Sequence, residues 1–206
     1  MRTSAAIAAF IATALICVCA AADGPKVSRL PGVAGQPPDL PSGRQGAEAR
    51  DIINLSITRG HAPKIARATG IVAGALRNDA VAPRILRELA IMRTALFFEA
   101  HYEINQHIPM IKACGYDEAK IAAVKDWRRS PLFDDRERAL LAFVDQMTGD
   151  GDVDDPTFDR MASLYSSQEI VEFAATVSYY AATALFTKAL RVETETDGRQ
   201  ASMGKC

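Results

Sequence analysis

Apolar side chains recur every three or four residues along most of the chain, the period that places them on one side of an α-helix. One such stripe follows Pro63, a residue favoured in the first helical turn, and comprises Ile65, Thr69, Val72 and Leu76. A second stripe, for which Asp79 is the predicted cap, comprises Ile85, Leu89, Met92 and Leu96. No segment shows sustained two-residue alternation, so the pattern predicts an all-α fold without a sheet.

Boundary signals divide the rest of the chain into further helices. A helix from about residue 100 to 114 is predicted to end at Gly115, because glycine permits a left-handed cap. Asp117 is predicted to begin a short helix that runs through Trp127. Three later helices are predicted from Asp134 with Glu137, from Asp155 before Pro156, and from Ser166 with Glu169. The last, ending near residue 192, is apolar on most sides, which is typical of a central core helix or of one buried between subunits.

The N-terminal residues are predicted to lie outside this domain. A basic start, an uncharged apolar run over residues 5–18 and three alanines ending at Ala22 indicate a signal peptide over residues 1–22, and a secreted or periplasmic protein. The run is shorter than the roughly 20 residues of a membrane span, so an uncleaved anchor is the less favoured alternative. Residues 23–46, rich in proline and glycine, form a predicted leader, residues 47–195 the helical domain and residues 196–206 a flexible tail. We expect no membrane span after cleavage.

The charge balance and the cysteine content limit the classes of function that the chain can have. The 206 residues carry 24 lysines and arginines against 25 aspartates and glutamates, a balance that argues against binding nucleic acid. Removing residues 1–22 leaves Cys114 and Cys206, which an oxidising compartment would allow to pair within the chain, between subunits, or not at all. No Cys-x-x-Cys occurs anywhere.

One polar segment has the composition of an acid/base site. Glu99, Glu103 and His107 are four residues apart, so on a helix they share one face. A neighbouring carboxylate orients an imidazole, which makes Glu103 with His107 a candidate acid/base pair, and Glu88 a second carboxylate if the chain folds back. The alternative is a solvated helix face, where such pairs contribute only about 0.2–0.5 kcal/mol.

A metal site and a cofactor are not predicted here. His101, Glu103 and His107 lack the His-Glu-x-x-His order of zinc enzymes, and histidines six residues apart point away from each other on a helix. Pro109 frees the carbonyl of Asn105, which is consistent with a helix bent beside a site or around the core.

These residues resemble a known family. The resemblance to the carboxymuconolactone decarboxylase family, which includes the alkylhydroperoxidase D-like proteins, is carried by Glu88, Tyr102, Glu103, His107, Pro109 and Gly115. Residues 134–141 look like the family's next helix, and the likeness extends over roughly residues 65–192. It implies an orthogonal helical bundle that assembles as a trimer or hexamer.

The peroxidase branch of the family carries a glutamate followed by Cys-x-x-Cys-x-x-x-His. In this chain Glu88 and His107 match the glutamate and the histidine, whereas Ala100 and Glu103 stand at the two thiol positions. Thiol peroxidases need a thiolate nucleophile, so the chain resembles the thiol-free side of the family.

The resemblance therefore implies a cofactor-free acid/base lyase of the decarboxylase type that acts on a small carboxylated molecule. Glu88, Glu103 and His107 are the expected catalytic residues. Tyr102 is a candidate hydrogen-bond donor to the substrate, with an ordinary core tyrosine as the alternative. Arg93 and Arg87 are candidate partners of the substrate carboxylate, with a pair of surface arginines as the favoured alternative. Two alternatives stay open. One is a peroxiredoxin-like antioxidant activity that uses Cys114 or Cys206, and the other is a small-molecule-binding oligomer without turnover.

Overall fold

A computed structural model describes residues 28–30, 53–198, 201 and 206 of the chain. Within these residues the fold is all-α, with eight helices, a 3₁₀ turn at Val124–Asp126 and no strand. The helices are α1 (Asn54–Arg59), α2 (Pro63–Asn78), α3 (Arg84–Phe97), α4 (His101–Ala113), α5 (Glu118–Ala123), α6 (Asp135–Gly149), α7 (Asp155–Leu164) and α8 (Ser167–Leu190). The predicted signal peptide and most of the predicted leader lie outside the described residues.

Several predicted helix ends are confirmed by their capping hydrogen bonds. Reciprocal side-chain and backbone bonds form the capping boxes that begin α6 and α8, at Asp134 with Glu137 and at Ser166 with Glu169. Asp117 accepts from the Lys120 N–H at the start of α5. Just beyond α4, Gly115 has a φ of +109°, a backbone conformation that favours glycine.

Two predicted caps are wrong. Asp79 follows the last residue of α2 instead of starting α3, which begins only after Pro83. The proline disfavours a helical conformation for the residue before it, so the connection stays extended for longer. The cap of α7 is Asp154, whose carboxylate accepts from the Thr157 N–H, and Asp155 is already helical. Of two adjacent aspartates, the extended one three residues before the free N–H is the cap.

The predicted stripe of α2 is partly wrong. Its Leu76 is buried, as predicted, but Ile65 and Val72 are 60% and 47% exposed, and Ala66 and Ala73 are buried in their place. The small alanine side chains allow α2 to lie close to α8, which it contacts. Periodicity predicted the helix, but it did not distinguish an alanine face from an isoleucine face.

Helix α3 is the centre of the fold, packing against α4, α6 and α8. Its Leu89 and Met92, from the predicted stripe, are almost fully buried. The core that surrounds them is built from the other helices and includes Ile111, Leu140, Leu141, Val144, Met161, Phe173 and Val177. Burying a side chain of this kind contributes about 1.5–3 kcal/mol, so α3 and the residues it carries are held firmly.

A smaller apolar cluster lies at the ends of the described chain. Ile53, Leu55, Tyr102 and Val192 are its buried members. Close by, the Arg29 N–H donates to the Leu190 carbonyl over 3.0 Å, so residues 28–30 contact the end of α8.

Of the three arrangements left open for the cysteines, the structure has the intramolecular one. Cys114 at the end of α4 is bonded to Cys206, with Cα atoms 5.2 Å apart.

Helix α8 is long and apolar enough, by length and composition, to cross a membrane, with a mean hydropathy of 1.2. This differs from the expectation that no segment beyond the N-terminal run has that character. Its Phe173, Val177 and Ala184 are buried inside the fold, whereas Val171 and Leu185 are exposed.

Candidate functional site

A buried ion network joins α3 to α4 through Glu88, a side chain with no solvent exposure. One carboxylate oxygen of Glu88 accepts from Arg84 over 2.6 Å, one helical turn earlier on α3. The other oxygen lies 2.7 Å from Nδ1 of His107 on α4. Arg84 and His107 are themselves buried, so the three side chains form a buried polar cluster inside the bundle.

The electrostatics of the cluster hold Glu88 in its ionised form. Burial by itself raises the pKa of this carboxyl, but the charges and hydrogen bonds of His107 and Arg84 outweigh burial and hold the pKa below its usual range. An ionised carboxylate only accepts hydrogen bonds, so Nδ1 of His107 carries the donated proton. The other ring nitrogen of His107, Nε2, points away from Glu88 on the other side of the ring.

On that other side lies Glu103. Its Oε2 is 3.7 Å from Nε2 of His107, one helical turn away on α4. The side chain is almost fully buried, and among the described residues its Oε1 is the one buried side-chain oxygen or nitrogen without a hydrogen-bond partner. Burial raises the pKa of Glu103 although His107, Arg59 and Arg77 favour the charged form. The fold therefore lowers the pKa of Glu88 and raises the pKa of Glu103, the two glutamates beside His107.

The walls of the site come from three helices. The ring of Tyr180, on α8, stands edge-on to His107 with ring centroids 4.9 Å apart. A void of about 10 Å³, room for roughly one water, lies beside Glu88 and is lined in part by Arg77 and Tyr180. A larger cavity of about 300 Å³ opens elsewhere, between α6 and α7 at Trp127, and none of the predicted site residues lines it.

The structure brings Glu88, Glu103 and His107 together, and their catalytic role stays a prediction. The expectation that Glu99 shares their helix face is wrong. Glu99 precedes α4, is exposed and has a φ of +50° in the turn from α3. His101 is also exposed, at the first residue of α4. Among the described residues, no group of three histidine, cysteine, aspartate or glutamate side chains is arranged to hold a metal.

The two arginines suggested for a substrate carboxylate already have partners within the fold, although Arg87 lines the small void beside Glu88. Arg93 forms an ion pair with Asp145 on α6 and donates to the Lys125 carbonyl over 3.1 Å. Arg87 is buried and donates to the backbone carbonyls of Ala82 and Leu76. Both guanidinium groups therefore tie α3 to neighbouring segments.

Tyr102 lies beside the site but already has partners. Its hydroxyl donates to Glu195 over 2.8 Å and accepts from the Leu55 N–H over 3.1 Å. Arg84, Tyr180 and Glu195 are not among the residues that the sequence predicted for the site. Arg84 had a signal, since it lies four residues before Glu88 on one helix, whereas Tyr180 and Glu195 come from distant parts of the chain.

The sequence profile of the carboxymuconolactone decarboxylase family matches residues 63–146, which include Glu88, Glu103 and His107. These 84 residues are therefore similar to the carboxymuconolactone decarboxylase family. The uncharacterised protein YnjA of Escherichia coli K12 is 34% identical over 74 residues, which are 35% of this chain and 41% of YnjA. The match therefore spans less than half of that relative.

Solved structures share the fold. An Agrobacterium tumefaciens protein of unknown function, described as a candidate antioxidant defence protein AhpD, has a TM-score of 0.63 at 20% identity, over 68% of this chain and 97% of its own. A peroxidase-related protein with an alkylhydroperoxidase AhpD core from Ralstonia eutropha JMP134 has a TM-score of 0.64 at 15% identity, over 75% and 83%. The debrominase Bmp8 in complex with 2,3,4-tribromopyrrole has a TM-score of 0.61 at 22% identity, over 71% and 78%. At these identities the likeness is one of fold, and the described part of the chain has the all-α AhpD-like architecture.

Replacing Glu103 by glutamine is expected to stabilise the protein increasingly as the pH rises. Because the folded state raises the pKa of Glu103, its contribution to stability is fully present below the ordinary value of 4.5 and is lost as the pH rises through the folded pKa. The amide has no such loss. The difference in unfolding free energy between Glu103→Gln and the wild type should therefore grow above pH 4.5, with a slope of up to about 1.4 kcal/mol per pH unit.

Urea unfolding between pH 4 and 8 measures this difference. Glu99→Gln is the matched control, because Glu99 is exposed and lies just before the same helix. Its difference from the wild type should be flat over that range. A flat difference for Glu103→Gln as well would contradict the raised pKa of Glu103.

Proposed function

We propose that this protein is a member of the carboxymuconolactone decarboxylase family and a cofactor-free acid/base lyase of the decarboxylase type, acting on a small carboxylated molecule. The observation that carries the proposal is the buried Oε1 of Glu103, which has no partner within the fold and belongs to a carboxyl whose raised pKa favours the protonated form. A neutral acid with a free oxygen inside a protein is suited to giving a proton to a bound reactant.

The neighbouring residues fit this role. Arg84 and Glu88 fix the orientation of His107, and Nε2 of His107 faces Glu103. In the proposed step the carbon–carbon bond to the substrate carboxylate breaks, carbon dioxide leaves, and the electron pair stays on the substrate as an enolate. Glu103 then protonates that carbon. His107 returns a proton from Nε2 to Glu103 and recovers one from water.

The arrangement of the cysteines supports acid/base over thiol chemistry. Ala100 and Glu103 stand where the peroxidase branch has thiols, and Cys114 and Cys206 are bonded to each other. A disulfide has no thiolate to attack a peroxide. The peroxiredoxin-like alternative would require that bond to be reduced first.

Export and assembly belong to the same proposal. A disulfide is typical of an oxidising compartment, which supports a secreted or periplasmic location. Exposed apolar side chains on α2 and α8, among them Ile65, Ile71, Val171 and Leu185, support a homo-oligomer, with the trimer or hexamer implied by the family as the expected state.

The test is a panel of small carboxylated lactones and β-keto acids, incubated with the protein in deuterated water. The expected result is release of carbon dioxide and one deuterium on the carbon that lost it, both read by NMR. Glu103→Gln and His107→Ala should each lower the rate by about 10²- to 10⁴-fold, while Glu99→Gln leaves it unchanged.

Three other results would each contradict the proposal. Equal rates in Glu103→Gln and the wild type would exclude Glu103 as the acid. Peroxide turnover that appears on reduction and disappears on alkylation of Cys114 and Cys206 would favour the antioxidant alternative. Saturable binding of panel members without product would favour the small-molecule-binding oligomer.

A further inference from the structure

Three hydrogen-bond donors converge on one carboxylate just beyond α8. Oε1 of Glu195 accepts from the Tyr102 hydroxyl over 2.8 Å and from the Asn54 N–H over 2.6 Å. Oε2 accepts from the side-chain amide of Gln106. Both carboxylate oxygens are thus bound by groups that lie far from Glu195 in the sequence.

The side-chain donors are part of the folded bundle. Tyr102 and Gln106 are one turn apart on α4 and are 4% and 8% exposed. The Tyr102 hydroxyl is oriented by the Leu55 N–H, and Oε1 of Gln106 accepts from the Ala201 N–H over 3.0 Å. Donors held in this way match the two oxygens of a carboxylate.

These donors lie next to the acid/base cluster in the chain. Tyr102 precedes Glu103, and Gln106 precedes His107, so α4 carries both sets one residue apart. The charge of Glu195 also acts on Glu103, where it disfavours ionisation. A carboxylate at this position therefore influences the proposed acid without touching it.

We propose that Tyr102, Gln106 and the Asn54 N–H form a carboxylate-binding site whose internal occupant is Glu195, and that the site takes a small free carboxylate once the Glu195 side chain is out of it. The site is separate from the proton-transfer residues, and binding is measured without turnover. The result of this binding measurement is therefore independent of whether the protein has the proposed lyase activity.

An internal occupant competes at a high effective concentration. Because Glu195 is tethered through α8 on one side and through the Cys206 disulfide on the other, a free carboxylate at millimolar concentration cannot displace it efficiently. Removing the side chain of Glu195 empties the site and leaves the donors in place. Acetate, the smallest carboxylate with a methyl group, is therefore the first probe.

The experiment measures the melting temperature of the disulfide-bonded protein in sodium acetate and in sodium chloride at equal ionic strength, at pH 7. Glu195→Ala is expected to melt roughly 5 °C below the wild type in chloride. In acetate its melting temperature should rise by several degrees and level off as the acetate concentration increases, because a ligand that binds only the folded state stabilises it. The wild type and Glu195→Gln, in which the site is filled, should respond equally to both salts.

The double variant Glu195→Ala/Tyr102→Phe tests the donor directly and should lose most of the acetate response. Equal responses to the two salts in Glu195→Ala would overturn the proposal and make Glu195 a structural tie only. If Glu195→Ala does not fold in chloride, folding in acetate alone supports the proposal, and failure in both salts overturns it.

Discussion

Glu88→Ala is expected to lower the free energy of unfolding by about 3–5 kcal/mol at pH 7, the loss typical of removing one partner from a buried ion network. The substitution leaves Arg84 and His107 inside the bundle without the carboxylate that both contact. The pKa of Glu88 is lowered in the fold, so its stabilisation is present above the ordinary value of 4.5 and is lost as the pH falls through the folded pKa. Urea unfolding at pH 7 and at pH 4 measures both effects.

Two control variants separate the network from a generic loss of charge. Glu88→Gln keeps an acceptor for His107 and should be less destabilising than alanine. Glu118→Ala removes the exposed partner of Lys112 and should leave stability nearly unchanged, because solvent screens such pairs. A loss of under about 1 kcal/mol for Glu88→Ala would contradict the buried network.

Reduction of the Cys114–Cys206 bond is expected to lower the free energy of unfolding by about 4 kcal/mol. The two cysteines are 92 residues apart, so the bond closes a long loop and strongly restricts the unfolded chain. Urea unfolding of the protein lacking residues 1–22, with and without dithiothreitol, measures the change.

A double variant, Cys114→Ser/Cys206→Ser, should match the reduced wild type and show no response to dithiothreitol. A thiol titration under denaturing, non-reducing conditions should find no free thiol in the oxidised wild type. Two free thiols, or an unchanged unfolding midpoint on reduction, would show that the cysteines are not paired.

The parts of the fold that sequence predicted are those determined by short-range chemistry. The capping boxes at Asp134 and Ser166, and the turn at Gly115, depend on a few adjacent residues. The exposure of Ile65 and Val72 on α2 depends on tertiary packing, because alanines make a buried face only when another helix lies against them. The same distinction explains Asp154 and Asp155, where only the backbone conformation decides which aspartate is the cap.

In the candidate site, too, the sequence predicted contacts between residues close together in the chain but missed contacts between distant segments. The helical spacing of Glu103 and His107 predicted their contact, and the family resemblance supplied Glu88. Nothing in the local pattern indicated that Tyr180 would stand against His107. Arg93 was proposed for a substrate because guanidinium groups suit carboxylates, yet the carboxylate it contacts is that of Asp145, 52 residues away.

The turn from α3 to α4 consists of Phe98, Glu99 and Ala100 and is closed by backbone bonds, including one of 2.9 Å from the Ala100 N–H to the Ala95 carbonyl. Glu88 lies before this turn and His107 after it, so three residues determine how the two halves of the site are aligned. For protein engineering, an insertion or a circular permutation here would uncouple Glu88 from His107. The exposed connection before α7, around Gly151, is the better point at which to open the chain or add a second domain.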